Sequence, residues 1–232
     1  MFVLVHGAWH GGWCWKRVTP LLRAAGHDVF TPTLTGLGER AHLMTSSVDL
    51  ETHTQDVLGV LQCEDLDRVI LVGHSYGGMV ITCVADRAPE RLAHVVYLDA
   101  FVPRDGQSLY DLVPPERRAM YDEWARTKGE GFRLPSPPLE FFGLTDESDV
   151  RWAAPRVLPQ PLATFTQPAR LKGSLAGVPR TYIACAKHTG PFKPFAQRAQ
   201  TEPGWRYRAL AAVHDVMITA PRDLVALLLE VL

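Results

Sequence analysis

The sequence predicts an α/β fold, with a doubly wound, mainly parallel six-stranded sheet and a helical cap inserted into it. Short apolar runs alternate with segments that have apolar residues at helical spacing. The runs are apolar throughout, which is typical of parallel strands that helices cover on both faces. One stretch rich in proline and aromatic residues, 101–175, interrupts this alternation after the fourth run. We therefore expect one domain of 232 residues, with its core in 1–100 and 176–232 and its cap in 101–175.

Six apolar runs predict the strands, which in chain order cover residues 2–5, 27–31, 68–72, 94–98, 180–184 and 206–210. Helical spacing predicts the main helices over 15–25, 50–62, 77–88 and 224–232. Gly26 ends the first of these helices, and Asp49 is placed to cap the second. Pro89 stops the third helix and Pro221 introduces the last. The glycine-rich segment 34–43 is predicted to be a loop.

Composition and charge restrict the classes of partner. The net charge is −1, and no basic stripe interleaved with aromatic residues occurs, which argues against nucleic acid and against an anionic membrane surface. No apolar run approaches the ~20 residues of a membrane span. No basic segment opens the sequence as it would in a signal peptide. The cysteines are far apart and predict reduced thiols in a cytoplasmic protein; they are Cys14, Cys63, Cys83 and Cys185.

The segment GHSYG, residues 73–77, matches G-x-S-x-G between a predicted strand and a predicted helix. A serine on so tight a turn has a strained backbone and crowds the residues two positions before and after it, where only glycine fits. Its hydroxyl then lies at the amino end of a helix, where backbone N–H groups stabilise a developing negative charge. This pattern predicts Ser75 as a nucleophile, with a purely structural turn as the alternative.

A serine hydroxyl needs a base to attack at neutral pH. His214 directly follows the sixth strand, at the sheet edge where Ser75 is expected, and we predict that it is this base. An ordinary surface histidine is the alternative. The backbone N–H of Tyr76, directly after the nucleophile, and that of Ala8, after the first strand, are predicted to form an oxyanion hole. For the Ala8 loop the alternative is a plain glycine-rich turn.

Three segments together resemble the α/β-hydrolase family: HGAWHGGW at 6–13, GHSYGG at 73–78 and HDVM at 214–217. More narrowly, they resemble the branch that contains plant methylesterases, plant hydroxynitrile lyases and their bacterial esterase relatives. The resemblance covers nearly the whole chain and is weakest in the cap. It implies the α/β-hydrolase fold and a Ser-Asp-His esterase without metal or cofactor. The lyases have a threonine and a lysine where this chain has Gly7 and Asp215, so the resemblance favours ester hydrolysis.

The acid of the triad is where this chain departs from the plant enzymes. They carry an aspartate a few residues after the fifth strand, whereas here the loop 185–195 has His188 at about that position and no acidic residue. We predict that Asp99 is the acid, because it ends the fourth strand at the same sheet edge and a buried carboxylate there can orient the imidazole. The alternative is that Asp99 binds backbone N–H groups where the cap begins.

The predicted function is a serine hydrolase that cleaves a small apolar or aromatic carboxylic ester through an acyl-enzyme on Ser75. The residues expected to line its pocket are Trp9, His10, Trp124 and His188. A small-molecule ester is the expected partner, and a homodimer is compatible with the sequence. The alternatives are a hydroxynitrile lyase, a lactone or amide hydrolase on the same scaffold, and a ligand receptor that keeps the triad as a relic.

Overall fold

The computed structural model describes residues 1–173 and 177–232. Its strands are β1 Phe2–Val5, β2 Val29–Phe30, β3 Val69–His74, β4 Leu92–Leu98, β5 Arg133–Leu134, β6 Gln160–Pro161, β7 Arg180–Cys185 and β8 Trp205–Leu210. Its α-helices are α1 Thr19–Ala24, α2 Leu50–Cys63, α3 Gly77–Arg87, α4 Pro115–Lys128, α5 Glu147–Ala153, α6 Ala163–Thr166, α7 Lys193–Thr201, α8 Val216–Thr219 and α9 Pro221–Leu229. Short 3₁₀ helices cover Gly12–Arg17, Gly38–Leu43, Pro89–Arg91, Tyr110–Leu112 and Leu139–Phe142.

The main sheet has six strands in the order β2-β1-β3-β4-β7-β8, and every neighbouring pair is parallel. All residues of β1 and β3 are buried, because helices cover both faces of the sheet. The strand order reverses direction at β1, so the carboxyl ends of β1, β3, β4, β7 and β8 share one edge. The predicted fold class is therefore confirmed.

Several boundaries differ from the prediction for local reasons. The helix expected over 15–25 is divided into the 3₁₀ helix Gly12–Arg17 and α1, and Pro20 lies in the first turn of α1, where proline is favoured. The second strand is only two residues long, and Pro32, which has no backbone N–H to donate, cannot extend it. The predicted loop 34–43 contains a 3₁₀ helix. The boundary between cap and core predicted at 175/176 lies outside the described residues.

Helix α3 packs unusually close to the segments that surround the predicted nucleophile. A Cβ added at Gly78 would lie 2.0 Å from the carbonyl oxygen of Phe101, which follows β4. A Cβ at Gly77 would lie 2.8 Å from the carbonyl oxygens of Val5 and His6. Only glycine at these two positions lets the start of α3 approach both backbones, and this approach fixes the turn before it.

The segment between β4 and β7 contains α4 to α6 and the two-stranded antiparallel sheet of β5 and β6. It is tied to the loop after β1 through Trp9. The Trp9 indole N–H donates to the Leu134 carbonyl at 3.0 Å, and the Leu158 N–H donates to the Trp9 carbonyl at 2.9 Å. The Trp9 backbone N–H donates to the Gln160 side chain at 3.0 Å. These contacts hold the segment against the loop at the carboxyl end of β1.

The four cysteines are free thiols, and Cys63 alone among them is exposed. None of the described helices combines the length and the apolar composition that crossing a lipid bilayer requires.

Candidate active site

Ser75 occupies the turn between β3 and α3, with φ of 55°, in the left-handed region that is costly for residues other than glycine. Neighbouring strands hold this conformation. The Ser75 N–H donates to the Leu98 carbonyl at 3.2 Å, and the Ser75 carbonyl accepts from the Phe101 N–H at 3.1 Å. Gly7 leaves room for the side chain, since a Cβ on Gly7 would lie 2.9 Å from the Ser75 Cβ. The strain predicted from G-x-S-x-G is present in the structure.

Asp99 and His214 are hydrogen-bonded at the same edge of the sheet. Asp99 directly follows β4, and its Oδ2 accepts from Nδ1–H of His214 at 2.7 Å. Its Oδ1 accepts from the Cys185 N–H at 3.3 Å. Because a neutral imidazole carries one N–H, this hydrogen bond leaves Nε2 of His214 unprotonated and able to accept a proton.

The ionisation states of this pair follow from burial and hydrogen bonding. Burial lowers the pKa of His214, and the hydrogen bond and charge of Asp99 offset this only in part, so the pKa stays below 6.5. Burial opposes ionisation of Asp99, but the hydrogen bonds from His188 and His214 outweigh it and hold the carboxyl pKa below its usual value. A neutral imidazole beside an ionised carboxylate is the state that a general base requires.

His188 contacts the same carboxylate. Its Nδ1 lies 2.7 Å from Oδ2 of Asp99, the oxygen that also accepts from His214. The ring centroids of His188 and His214 are 4.3 Å apart. His188, expected in the pocket, lines neither of the two cavities that lead to Ser75. The sequence analysis did not predict this contact. The one indication of it was a histidine in a loop that has no acidic residue and follows a strand at this edge of the sheet.

His214 is supported by two further rings. Nε2–H of His74 donates to the His214 carbonyl at 3.1 Å, and the two ring centroids are 4.4 Å apart. The ring of Phe192 stacks on His214 at 5.0 Å, with the planes only 13° apart. The backbone and the ring plane of His214 are therefore both restrained.

His10 does not line the pocket as expected but forms a buried pair with Asp215. Its Nε2 lies 3.0 Å from Oδ2 of Asp215, and its Nδ1 lies 2.7 Å from the Ala8 carbonyl oxygen. Both ring nitrogens face oxygen acceptors, which favours the imidazolium form, in which both carry protons. Burial opposes this charge, but the charge and hydrogen bond of Asp215 and the hydrogen bond to the Ala8 carbonyl together outweigh burial and raise the pKa of His10. The pair anchors the loop that contains Ala8.

The two predicted oxyanion donors line the same cavity as the predicted nucleophile and base. Ala8 and Tyr76 line it together with Ser75 and His214. Within 1–173 and 177–232, no protein acceptor is hydrogen-bonded to the N–H of Ala8 or of Tyr76. The Tyr76 side chain is fixed separately, since its hydroxyl donates to Nδ1 of His53 at 2.9 Å. Two unpaired N–H groups beside a serine are what an oxyanion hole requires.

Two adjoining cavities lead to Ser75. The inner cavity, of about 20 Å³, is lined by Ser75 and His214 and is otherwise walled mainly by aromatic rings. The outer cavity, of about 470 Å³, is mostly apolar and includes Trp124, as expected. Four residues line both cavities and form the neck between them: Trp9, Arg117, Tyr121 and Phe141.

The carboxylate and the two imidazoles of Asp99, His188 and His214 have potential metal-ligating atoms within 4.8 Å of one another. In this structure, however, Oδ2 of Asp99 already accepts from Nδ1–H of both histidines. A cation between these atoms would have to displace both imidazole protons. The hydrogen bonding therefore suits an oriented carboxylate better than a metal centre.

Comparison with known proteins identifies the family of this chain. The sequence profile of the Alpha/beta hydrolase family matches residues 2–227. A carbendazim hydrolyzing esterase from Nocardioides sp. (strain SG-4G) is 48% identical over 233 residues, covering 96% of each chain. Salicylic acid-binding protein 2 from Nicotiana tabacum is 32% identical, covering 99% of this chain and 96% of that protein.

Solved structures give the same result. An extracellular alpha/beta-hydrolase from a Paenibacillus species superposes with a TM-score of 0.88 at 26% identity, covering 99% of this chain and 98% of that chain. The resemblance identified from the sequence motifs is thus confirmed, and the relatives support a carboxylesterase-like serine hydrolase. This chain belongs to the alpha/beta hydrolase family.

Proposed function

We propose that this chain hydrolyses carboxylic esters with Ser75 as nucleophile, His214 as general base and Asp99 as the acid of the triad. The observation that carries the proposal is the 2.7 Å hydrogen bond between Asp99 and His214, with His214 and Ser75 in the wall of one cavity. Such an arrangement serves acyl transfer, because the base activates the serine and the carboxylate stabilises the resulting imidazolium.

The reaction proceeds in two halves. Ser75 Oγ attacks the ester carbonyl while Nε2 of His214 takes its proton, and the N–H groups of Ala8 and Tyr76 bind the oxyanion. The tetrahedral intermediate collapses, and the alcohol leaves with the proton from His214. Water then attacks the acyl-enzyme as His214 accepts one of its protons and returns it to Ser75 Oγ, which releases the carboxylic acid.

The two cavities support a small alcohol group and an apolar or aromatic acyl group. The inner cavity has room for little beyond the reacting atoms, whereas the outer cavity of about 470 Å³ accommodates a ring. Rings of Trp9, Tyr121 and Phe141 form most of the neck, where a flat acyl group fits. Relatives named as methylesterases agree with a small alcohol. We therefore propose methyl esters of aromatic acids as the preferred class.

The cytoplasm is the compartment we propose. Its support is that all four cysteines are unpaired, which suits a reducing environment. The division into a core of 1–100 and 176–232 and a cap of 101–175 also remains part of the proposal.

The test combines turnover with labelling of the serine. Wild-type protein is assayed against p-nitrophenyl esters from acetate to octanoate and against methyl benzoate, then treated with a fluorophosphonate and weighed intact. We expect turnover and one adduct, both lost in Ser75→Ala, with a matching loss of turnover in His214→Ala. Absence of both turnover and adduct in the wild type would refute the proposal in favour of a ligand receptor. Cyanide release from a cyanohydrin without ester turnover would refute it in favour of a lyase.

A further inference from the structure

We propose that His188 is a positioning residue for this hydrolysis: it holds the Asp99 carboxylate by a second hydrogen bond and thereby tunes the basicity of His214. The inference rests on the proposed function. It assigns a role to the histidine that stands in the loop after β7, where the chain has no acidic residue until Glu202.

The carboxylate of Asp99 is held by three donors from different parts of the chain. Oδ2 accepts from Nδ1–H of His188 and from Nδ1–H of His214, each at 2.7 Å. Oδ1 accepts from the Cys185 N–H at 3.3 Å, the longest of the three. Asp99 itself has φ of 43°, so its backbone is strained and the side chain depends on these contacts for its orientation. Without His188, Oδ2 would keep His214 as its single donor.

The position of His188 is itself fixed by the fold. Its N–H donates to the Cys185 carbonyl at 3.0 Å, which makes a tight turn directly after β7. The ring packs against Phe192 with centroids 5.5 Å apart. On another side it meets Gly190, where an added Cβ would lie 2.2 Å from the imidazole Cε1. His188 therefore reaches Asp99 from a restrained ring, and its contact does not depend on a flexible side chain.

The shared oxygen links the two histidines electrostatically. The single negative charge of Asp99 is divided between two N–H donors, so His214 receives less of it than an unshared carboxylate would give. The ring of His188 lies 4.3 Å from that of His214, and, in addition to burial, its electrostatic interaction lowers the pKa of His214. His188 thus favours a neutral base and extends activity toward acid pH.

Other titratable groups face this cluster and must be held constant in a test. His74 lies against His214, with ring centroids 4.4 Å apart, and Asp215 follows His214 in the chain. The charge of Asp99 also acts on the Tyr182 phenol and the Cys185 thiol, raising the pKa of each in addition to burial. Substitutions at position 188 leave all of these groups in place, so a change in the pH profile reports the contribution of His188.

Two substitutions separate the hydrogen bond from the charge. His188→Asn keeps an N–H donor at the same branch point of the side chain but cannot titrate, whereas His188→Leu removes both. We expect His188→Leu to lower kcat by about 10- to 100-fold, the range found when the hydrogen-bond partner that orients a metal-bound histidine is removed. We expect His188→Asn to keep kcat within about threefold of the wild type, because Asp99 still has all its donors.

The pH profile of kcat/KM distinguishes the positioning role from a structural one, because a residue that only supports the fold would leave the profile unchanged. Its acid limb should shift to higher pH by about half to one unit in His188→Leu, and by less in His188→Asn, since Asp99 then acts more fully on His214. His94→Asn is the matched control: His94 is buried on β4 and bonds Thr181 at 2.8 Å, away from Asp99, and its profile should not move.

The outcomes distinguish this inference from the proposed function. Wild-type turnover and labelling of Ser75 test the function independently of any change at position 188. If the wild type turns over and a folded His188→Leu variant keeps both its kcat and its acid limb, the role of His188 is refuted while the function stands. Melting temperatures of the variants, measured alongside, identify any loss of activity that comes from unfolding.

Discussion

Asp99→Asn replaces the proposed triad acid by a neutral group of the same shape. All the neighbouring groups are hydrogen-bond donors, so either orientation of the amide places its N–H₂ against at least one of them. If the amide oxygen takes the place of Oδ2, the amide nitrogen faces the Cys185 N–H, donor against donor. If the nitrogen takes that place, it faces Nδ1–H of both His188 and His214. The second orientation forces His214 into the tautomer whose Nε2 carries the proton and cannot accept one from serine.

The expected magnitude follows from the distance. When His214 becomes an imidazolium, its Nδ1 lies 2.7 Å from the Asp99 carboxylate, and both side chains are almost completely buried. At an effective dielectric constant of about 20 this charge pair is worth about 6 kcal/mol. That energy corresponds to a factor of about 10⁴ in rate, the size seen when the corresponding aspartate of a serine protease is changed to asparagine.

The assay is kcat for p-nitrophenyl acetate in wild type and Asp99→Asn, measured with the rate of fluorophosphonate labelling of Ser75. Asp86→Asn is the matched control, because Asp86 is another buried carboxylate, bonded to the Lys172 N–H, and lies outside both cavities. We expect a loss of about 10⁴ in Asp99→Asn and nearly unchanged kcat in the control. A folded Asp99→Asn variant with more than about a tenth of the wild-type kcat would show that the Asp99 carboxylate does not act as the triad acid, and our reasoning would be wrong.

Three further predictions concern stability and specificity. Burial lowers the pKa of His6 to about 3 and that of His53 to about 4. Folding is therefore stabilised above their ordinary pKa of 6.5, and this stabilisation is lost as the pH falls toward the folded values. In urea unfolding, the free energy of unfolding at about pH 5 should be lower than at about pH 8 by about 2 kcal/mol for each histidine. Gly78→Ala should cost about 1–3 kcal/mol because its Cβ meets a backbone carbonyl, whereas Gly59→Ala, with open space around it, should gain up to about 1 kcal/mol; equal effects in urea unfolding would contradict the packing argument. Arg117→Gln should lower kcat/KM about tenfold for monomethyl terephthalate but little for methyl benzoate, because the guanidinium lines the neck and can bind the second carboxylate of the terephthalate. Among the described residues, no carboxylate forms an ion pair with Arg117. Equal losses for the two substrates would exclude this recognition of the second carboxylate.

Local patterns made the sheet and the serine turn predictable from the sequence. The capping role of Asp49 depends on residues three positions apart, and its side chain does accept from the Thr52 N–H at 2.8 Å. The turn at Ser75 likewise depends on glycines two positions away on each side. The position of Asp99 beside the site was also predictable from the sequence, because the carboxyl ends of parallel strands share one edge of the sheet.

Contacts between segments that are distant in the sequence could not be predicted from local patterns. His188 and Asp99 are 89 residues apart, and their contact depends on a tight turn after β7 that no local pattern specifies. His10 and Asp215 are 205 residues apart. For His10 the sequence favoured the pocket wall, because nothing in it reveals that two oxygen acceptors converge on the ring. Such pairings are decided by how loops pack, and periodicity carries no information about them.

The two acceptors around His10 make the oxyanion loop dependent on a proton. If that proton is lost, either the Ala8 carbonyl or the Asp215 carboxylate faces a bare ring lone pair in a buried site. Because the pKa of His10 is raised in the folded protein, the stabilisation is complete below its ordinary value and disappears as pH rises through the folded value. Alkaline inactivation should therefore begin with slackening of the loop that binds the oxyanion. The enzyme would then have a working pH window set by two histidines, His214 at its acid boundary and His10 at its alkaline one.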